Sequence, residues 1–203
     1  MGRIRGRKPE DTRESVLAAA TVTFAERGFA NATLGLIAER AGVTAATLPY
    51  HFGDKRGLYN AVIEGIYNDL LAFGRSFESE PDLTFAEVVE RAYAFSEAHR
   101  DGIRVMLRTV IETGALDEDV REVRLGATLD VVSRMLAAHY NVDLESGREA
   151  IIAITHLVSR FVTNSVEDNC KAFGVSNAEA CRERIVALLT RTGRFLVGLD
   201  ADR

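Results

Sequence analysis

Residues 33–55 read TLGLIAERAGVTAATLPYHFGDK, and they predict two short helices joined by a tight turn. Thr33 is a good N-cap for the first helix, and Gly42 provides the left-handed backbone that ends it. Thr44 is placed to cap the second helix, and Gly53 is placed to end it. Two short helices joined through a small turn residue are typical of a helix-turn-helix, whose second helix enters the major groove of DNA.

The segment ahead of this pair predicts a third helix that packs against both. Asp11 and Glu14 form a capping-box-like pair at its start, and Gly28 supplies a stop. We therefore expect a DNA-binding domain over residues 11–53, behind a flexible basic arm over residues 1–10. The apolar residues of this helix recur at helical spacing: Val16, Leu17, Ala20 and Phe24.

The rest of the chain also predicts helices. Only three prolines occur in 203 residues rich in Ala, Leu, Val, Glu and Arg, which favours an all-α fold. Capping boxes at Thr84 with Glu87 and at Ser176 with Glu179 predict two helix starts. About nine helices are expected in total, and they include residues 34–41, 45–52, 101–113, 117–139, 146–168 and 177–198.

Charge is distributed unevenly along the chain. The whole chain carries a net charge of −5, from 25 basic and 30 acidic side chains. Residues 1–56 hold nine basic and six acidic side chains, a net +3, which leaves −8 for the remainder. A basic head on an acidic body is the asymmetry expected when one end contacts phosphates.

The sequence indicates no cofactor and no metal site, because it lacks a CxxC pair, a His-rich tract and a phosphate loop. It shows no signal peptide and no apolar run of membrane-spanning length, so we expect a cytoplasmic protein. Cys170 and Cys181 are expected to be reduced thiols, with sensing of oxidants as an alternative.

The first sixty residues carry a nearly continuous motif. It comprises Phe24-Ala25-Glu26-Arg27-Gly28-Phe29, Thr33, Ile37-Ala38-Glu39-Arg40-Ala41-Gly42-Val43-Thr44, Leu48, Tyr50-His51-Phe52-Gly53-Asp54-Lys55 and Leu58. With this motif the chain resembles the tetracycline-repressor (TetR) family. The resemblance implies an all-α homodimer with an N-terminal three-helix DNA-binding domain and, over residues 54–203, a helical ligand-binding and dimerisation domain.

The resemblance also implies DNA contacts at eight positions. Thr33 and Lys55 match phosphate-binding positions, and Tyr50 and His51 match positions that contact the DNA backbone. The residues expected to face base edges are Thr44, Ala45, Ala46 and Thr47. Because this surface carries mainly methyl groups, we expect it to recognise thymine methyls and DNA shape rather than guanine.

Two positions depart from the family pattern. Pro49 stands where the family commonly has an aromatic residue, usually Tyr, so it removes an amide from the second helix and cannot contact phosphate as a tyrosine does. Tyr50 and His51 are therefore expected to carry more of the backbone contact. Gly35 likewise offers DNA no side chain. These two departures affect the fine sequence specificity of DNA binding and not the class of protein.

A sensor of this family needs a ligand pocket and a self-complementary surface among its C-terminal helices. For each residue proposed to line the pocket, the alternative is a purely structural role, either in the hydrophobic core or on the polar side of a helix. The pocket candidates are Phe95, His99, Met106, Met135, His139, His156 and Arg160. The interface candidates are apolar residues of the last two long helices: Ile154, Val158, Phe161, Ile185, Leu188, Leu189 and Phe195.

The leading hypothesis is a repressor that binds a palindromic operator as a homodimer and is released by a small-molecule effector. The first alternative is a helical protein-binding module that does not recognise DNA, for which an acidic surface around Tyr50 and Lys55 would be the sign. An enzyme is the least favoured class, because the sequence has no nucleophile–base constellation, phosphate loop or metal box.

Overall fold

The computed structural model describes residues 9–80, 82–113 and 126–199, and all regular secondary structure in these ranges is helical. The predicted all-α fold is confirmed. A 3₁₀-helix, Phe77–Ser79, follows α4. The α-helices of these ranges are α1 (Pro9–Asn31), α2 (Leu34–Ala41), α3 (Thr47–Phe52), α4 (Lys55–Ser76), α5 (Phe85–Ala98), α6 (Arg100–Thr113), α7 (Gly126–Tyr140), α8 (Leu144–Thr163), α9 (Val166–Phe173) and α10 (Ala178–Leu196).

Two compact units make up the described chain. The first unit combines residues 9–68 with residues 101–113, so it contains α1 to α3, the first part of α4 and nearly all of α6. The second unit comprises residues 69–80, 82–100 and 126–199. The N-terminal unit therefore extends beyond residue 53, because α4 and α6 contact α1.

The first unit is built around α1. Phe24 is 1% exposed, and its ring meets the ring of Tyr59 from α4 edge-on, with the centroids 5.0 Å apart. From α6, the Arg108 guanidinium donates to the backbone of α1 at 3.0 Å. The two short helices contribute Ile37 and Leu48, which are 0% and 1% exposed. Burial of these side chains holds the helix-turn-helix in place.

Gly28 breaks α1, as the sequence predicts. Its φ of 73° and ψ of 168° are not helical, and positive φ is readily adopted only by glycine. One further helical turn follows to Asn31, because the Ala32 amide donates to the Gly28 carbonyl at 3.2 Å. At the other end α1 begins at Pro9, earlier than the predicted start at Asp11.

In the second unit, α10 packs against α5 and α8, and α7 packs against α8. The predicted capping box at the start of α5 is confirmed: the Glu87 amide donates to Thr84 Oγ1 at 3.3 Å, and the Thr84 amide donates to the Glu87 carboxylate at 2.8 Å. Phe85 lies close against Gly193 of α10, so a Cβ placed on Gly193 would stand 2.7 Å from the Phe85 ring. The close approach of α5 and α10 depends on this glycine.

The prediction of one helix over residues 146–168 is wrong, because the chain forms α8 and α9 there. Ser165 caps α9 by accepting a hydrogen bond from the Asp168 amide at 3.0 Å. The Asn169 side chain donates to the Phe161 carbonyl at 2.8 Å and so satisfies the end of α8. Apolar spacing continues across the break, which is why the sequence pattern did not reveal it.

Other predicted boundaries differ or fall outside the described ranges. The second helix of the pair begins at Thr47 rather than at residue 45, with Ala46 as its N-cap. The predicted cap at Ser176 is replaced by Asn177, whose side chain accepts from the Ala180 amide at 2.8 Å. Residues 1–8 of the predicted arm and 117–125 of the predicted helix 117–139 lie outside the described part of the chain.

Candidate nucleic-acid interface

The turn between α2 and α3 has the geometry that a helix-turn-helix requires. Thr33 caps α2, and its hydroxyl oxygen accepts from the Leu36 amide at 3.3 Å. Gly42 ends α2 with a φ of 68°, which lets the Val43 amide donate to the Ala38 carbonyl at 3.0 Å. The capping hydroxyl of Thr33 keeps its own proton free to donate to a phosphate oxygen.

Most of the predicted base-facing residues form a small exposed surface at the start of α3. Thr44, Ala45 and Ala46 are exposed, and Thr47 is half-buried. The hydroxyl oxygens of Thr44 and Thr47 lie 3.0 Å apart and share a hydrogen bond. Leu48 is 1% exposed and anchors α3 from behind. The surface therefore presents two methyl groups beside a linked pair of hydroxyls.

Pro49 does not interrupt α3. Because the helix begins at Thr47, Pro49 lies in its first turn, where the amide would have no intrahelical partner. Its carbonyl accepts from the Gly53 amide at 2.9 Å. The missing N–H group of Pro49 therefore costs α3 no hydrogen bond.

Tyr50 and His51 lie on the outer part of α3. The Tyr50 side chain is 86% exposed, and His51 is half-buried. Their rings meet edge-on with centroids 5.0 Å apart. An exposed phenol with a supporting ring is a suitable donor to a phosphate oxygen.

Lys55 is engaged within the protein. Its ammonium donates to the carbonyl oxygens of Phe29, Ala30 and Ala32 at 2.8, 3.3 and 3.1 Å, and it lies 4.5 Å from the centroid of the Phe29 ring. An ammonium group has three N–H donors, so these carbonyls use all of them. In this arrangement Lys55 joins the start of α4 to the end of α1 rather than presenting its donors outward.

Arg13 is a candidate that the sequence did not single out. Its guanidinium carbon lies 5.4 Å from the centroid of the Phe52 ring, so a cation from α1 lies beside α3. The side chain is exposed and is thus available to a phosphate. The contact joins residues far apart in the chain, and no spacing rule could have identified it.

The second unit brings together some of the predicted ligand residues. The Phe95 ring stacks between Phe73 and His99, with centroid distances of 4.4 and 3.9 Å. The His99 Nε2 atom lies 3.8 Å from the Asp69 carboxylate. Phe95 and His99 therefore belong to one aromatic cluster.

The other predicted ligand residues are dispersed. Met135 is 5% exposed, and its carbonyl lies 3.1 Å from His139 Nδ1. The buried Nε2 atom of His139 has no hydrogen-bond partner among the described residues. Met106 belongs to the first unit, and His156 and Arg160 are exposed on α8.

The predicted interface residues divide by burial. Val158, Ile185 and Leu189 are 7%, 2% and 0% exposed within the chain itself, so they form core rather than surface. Phe195 is 75% exposed on α10, and Ile152 of α8, which the sequence reasoning missed, is 41% exposed. The remaining candidates are half-buried: Ile154, Phe161 and Leu188.

A groove of about 850 Å³ runs between α5 and α10. Arg182 crosses it and pairs with Glu90 at 2.6 Å and with Glu97 at 2.9 Å. Arg191 and Arg194 also line it. An open groove crossed by ion pairs is unlike the enclosed pockets that bury most of a small ligand.

Two kinds of site were not found in residues 9–80, 82–113 and 126–199. No three His, Cys, Asp or Glu side chains there are grouped so as to hold a metal ion. None of the helices in that part of the chain is long and apolar enough to span a membrane.

Comparison with known proteins gives consistent matches over the helix-turn-helix. The family described as bacterial regulatory proteins, tetR family, matches residues 16–62. The transcriptional regulator RutR of Escherichia coli (strain K12) is 29% identical over 156 residues, which cover 76% of this chain and 72% of that protein. The regulator TtgR of Pseudomonas putida is 35% identical over 74 residues, covering 36% and 35% of the two chains.

A solved structure shares the fold over almost the whole chain. It is a TetR-family transcriptional regulator from Mesorhizobium loti MAFF303099, with a TM-score of 0.69, 12% identity, and coverage of 96% of this chain and 98% of that one. A regulator from Aquifex aeolicus VF5 has a TM-score of 0.63 and 16% identity over 88% of this chain and 97% of its own. The relatives named in these comparisons are transcriptional regulators rather than enzymes.

Proposed function

Because the chain belongs to the TetR family of DNA-binding transcriptional regulators, we propose that it is a repressor. It binds a palindromic operator as a homodimer, and a small molecule that binds its C-terminal helices releases it from DNA.

The observation that carries this proposal is the exposed surface at the start of α3. Thr44, Ala45 and Ala46 face outward while Leu48 behind them is 1% exposed. A short helix anchored on one side and bare on the other suits insertion into a major groove. The proposed DNA contacts are Thr33, Thr44, Ala45, Ala46, Thr47, Tyr50, His51 and Arg13, with Lys55 placing the start of α4.

The proposed homodimer rests on exposed apolar side chains of the second unit. Phe195 and Ile152 lie on α10 and α8, which pack against each other within this unit. Exposed large apolar side chains favour an interface, and the proposed dimer buries both of them on one self-complementary surface. A twofold axis through this surface presents two recognition helices to two half-sites.

The proposed effector site lies in the second unit. The stacked rings of Phe73, Phe95 and His99 offer an aromatic wall for a ligand. The buried Nε2 atom of His139, which has no hydrogen-bond partner among the described residues, is a separate candidate contact. For release, the ligand must bind the form that does not bind DNA more tightly than the form that does.

Selection of an operator from random DNA, followed by titration, tests the proposal. We expect tight binding to the selected palindrome and much weaker binding to a scrambled duplex. Ala45→Glu places a carboxylate at the exposed start of α3 and should abolish operator binding without unfolding the chain. Ala94→Glu, at an exposed position of α5, is the matched control and should bind as wild type does.

The outcome that overturns the proposal is equal affinity for palindromic and scrambled DNA, or an Ala45→Glu variant that binds the operator normally. Equal affinity would favour a helical module that binds proteins instead of DNA. Normal operator binding by the Ala45→Glu variant would show that the start of α3 is not the surface that contacts DNA.

A further inference from the structure

The turn between α9 and α10 brings the two cysteines of the chain together. Cys170 Sγ donates to the Asn177 carbonyl at 3.5 Å, and the Cys181 amide donates to the same oxygen at 3.1 Å. The Cys170 sulfur and the Cys181 amide therefore meet at one carbonyl oxygen, which places Cys170 beside the first turn of α10, where Cys181 lies. Both cysteines are free thiols.

The two thiols differ in their environment. Cys170 is half-buried, so its sulfur is reached from solvent. Cys181 is 2% exposed, and burial raises the pKa of its thiol, with the neighbouring Cys170 adding to the effect. An accessible thiol next to a protected one matches the arrangement in which one cysteine is oxidised first and the other resolves it.

We propose that Cys170 and Cys181 are a peroxide-responsive dithiol that closes into an intramolecular disulfide across the α9–α10 turn. Cys170 loses its proton, the resulting thiolate attacks hydrogen peroxide and the O–O bond breaks; Cys170 becomes a sulfenic acid, and the departing hydroxide takes up a proton to leave as water. The Cys181 sulfur then attacks the Cys170 sulfur, the S–O bond breaks, and a second water leaves with the Cys181 proton. Two thiols lose two electrons, and the peroxide gains them.

The proposed disulfide would involve α9, which is already hydrogen-bonded to α8. Asn169 of α9 donates to the Phe161 carbonyl of α8, and Asn164 donates to the Asn169 side chain at 2.9 Å. A bond from Cys170 to Cys181 therefore ties the end of α8 to the start of α10. Because it also restricts the unfolded chain, it should raise the Tm of the oxidised protein by several degrees.

Mass spectrometry of the full-length chain tests the proposal. The protein is reduced, freed of reductant, treated with excess hydrogen peroxide and digested with trypsin without reduction. We expect an intact-mass loss of two hydrogens and one cross-linked peptide pair, FVTNSVEDNCK (161–171) with AFGVSNAEACR (172–182). Dithiothreitol should restore the reduced mass.

Two serine variants separate the steps. Cys170→Ser changes the half-buried position and should lose no hydrogens under the same treatment. Cys181→Ser should stop at a sulfenic acid on Cys170 that dimedone traps as a stable adduct. If Cys181→Ser does not fold, Cys170→Ser and the peptide pair still decide the question.

Three results would overturn the proposal. The first is that both thiols of the folded chain stay free under a peroxide treatment that oxidises the unfolded chain. The others are disulfides that form only between two copies of the chain, and sulfonic acids that form without any disulfide. The proposal is independent of operator binding, which each of these results would leave untouched.

Discussion

The ammonium nitrogen of Lys55 lies 2.8 Å from the backbone carbonyl oxygen of Phe29, and this contact joins the first residue of α4 to the end of α1. Two further carbonyls, of Ala30 and Ala32, accept from the same nitrogen. The resemblance to the TetR family implied a phosphate contact at Lys55, whereas in the structure the ammonium holds the last turn of α1.

Lys55→Met separates these two roles. Because three carbonyls lose a charged donor, we expect the free energy of unfolding to fall by about 1–2 kcal/mol. The slope of log affinity against log salt should stay unchanged. A phosphate contact would instead reduce that slope by about one. Denaturant melts and salt titrations on operator DNA measure both quantities.

Lys171→Met is the matched control for this variant. Lys171 is an exposed lysine paired with Glu167 at 2.8 Å on α9, and its loss should cost less than about 0.5 kcal/mol. Equal stability losses in the two variants would contradict the structural role of Lys55.

Arg13→Gln is expected to weaken operator binding. The Arg13 guanidinium lies over Phe52 at the end of α3 and is exposed, so it adds one cation to the DNA-facing surface. Its loss should lower the salt slope by about one and weaken binding to all duplexes alike. Fluorescence anisotropy at several salt concentrations gives the slope. Arg75→Gln, an exposed change on α4 in the second unit, should leave the slope as it is.

Phe195→Glu is expected to yield monomers. The ring is 75% exposed on α10, so the substitution should leave the chain folded while placing a charge in the proposed interface. Sedimentation at micromolar concentration measures the change. Ile111→Glu, at an apolar residue that is 81% exposed in the first unit, should remain dimeric. A dimeric Phe195→Glu variant would show that the interface lies elsewhere.

Tyr67 should make the protein sensitive to alkali. Burial raises the pKa of the Tyr67 phenol from its ordinary value of 10.0 to about 12. Between these values the unfolded chain loses the phenol proton while the folded chain keeps it. Stability is therefore fully present below about pH 10 and falls as the pH rises toward 12.

Tyr67→Phe should weaken this pH dependence without removing it, because burial also raises the pKa of Tyr93 to about 12. The Tyr67 hydroxyl has no hydrogen-bond partner in the described part of the chain, so the variant should be as stable as wild type, or more so, at pH 7. Denaturant melts from pH 7 to 11 compare the two proteins. A large loss of stability in Tyr67→Phe at pH 7 would mean that the Tyr67 hydroxyl makes a hydrogen bond in the folded protein.

The parts of the fold that were predictable are those set by neighbouring residues. The bounds of α2 follow from Thr33 and Gly42, and the start of α5 follows from the box of Thr84 and Glu87. Each of these signals acts within one helical turn, so it can be read from sequence.

The parts that were missed depend on contacts between distant residues. The break between α8 and α9 depends partly on Asn169 reaching the Phe161 carbonyl, and apolar spacing alone gives no sign of it. The contact of Arg13 with Phe52 and that of Lys55 with Phe29 join segments with no fixed spacing. Likewise, the sequence could not show that Ile185 and Leu189 are buried by their own chain.

The most direct measurement is a titration of three labelled duplexes with the wild-type chain at physiological salt: the selected palindrome, the same duplex with one half-site scrambled, and a fully scrambled duplex. We expect two chains on the palindrome and an affinity at least about 1,000-fold above that for fully scrambled DNA. Scrambling one half-site should remove most of that advantage. Equal affinity for all three duplexes, or a single chain bound to the palindrome, would contradict the proposed paired recognition of an operator.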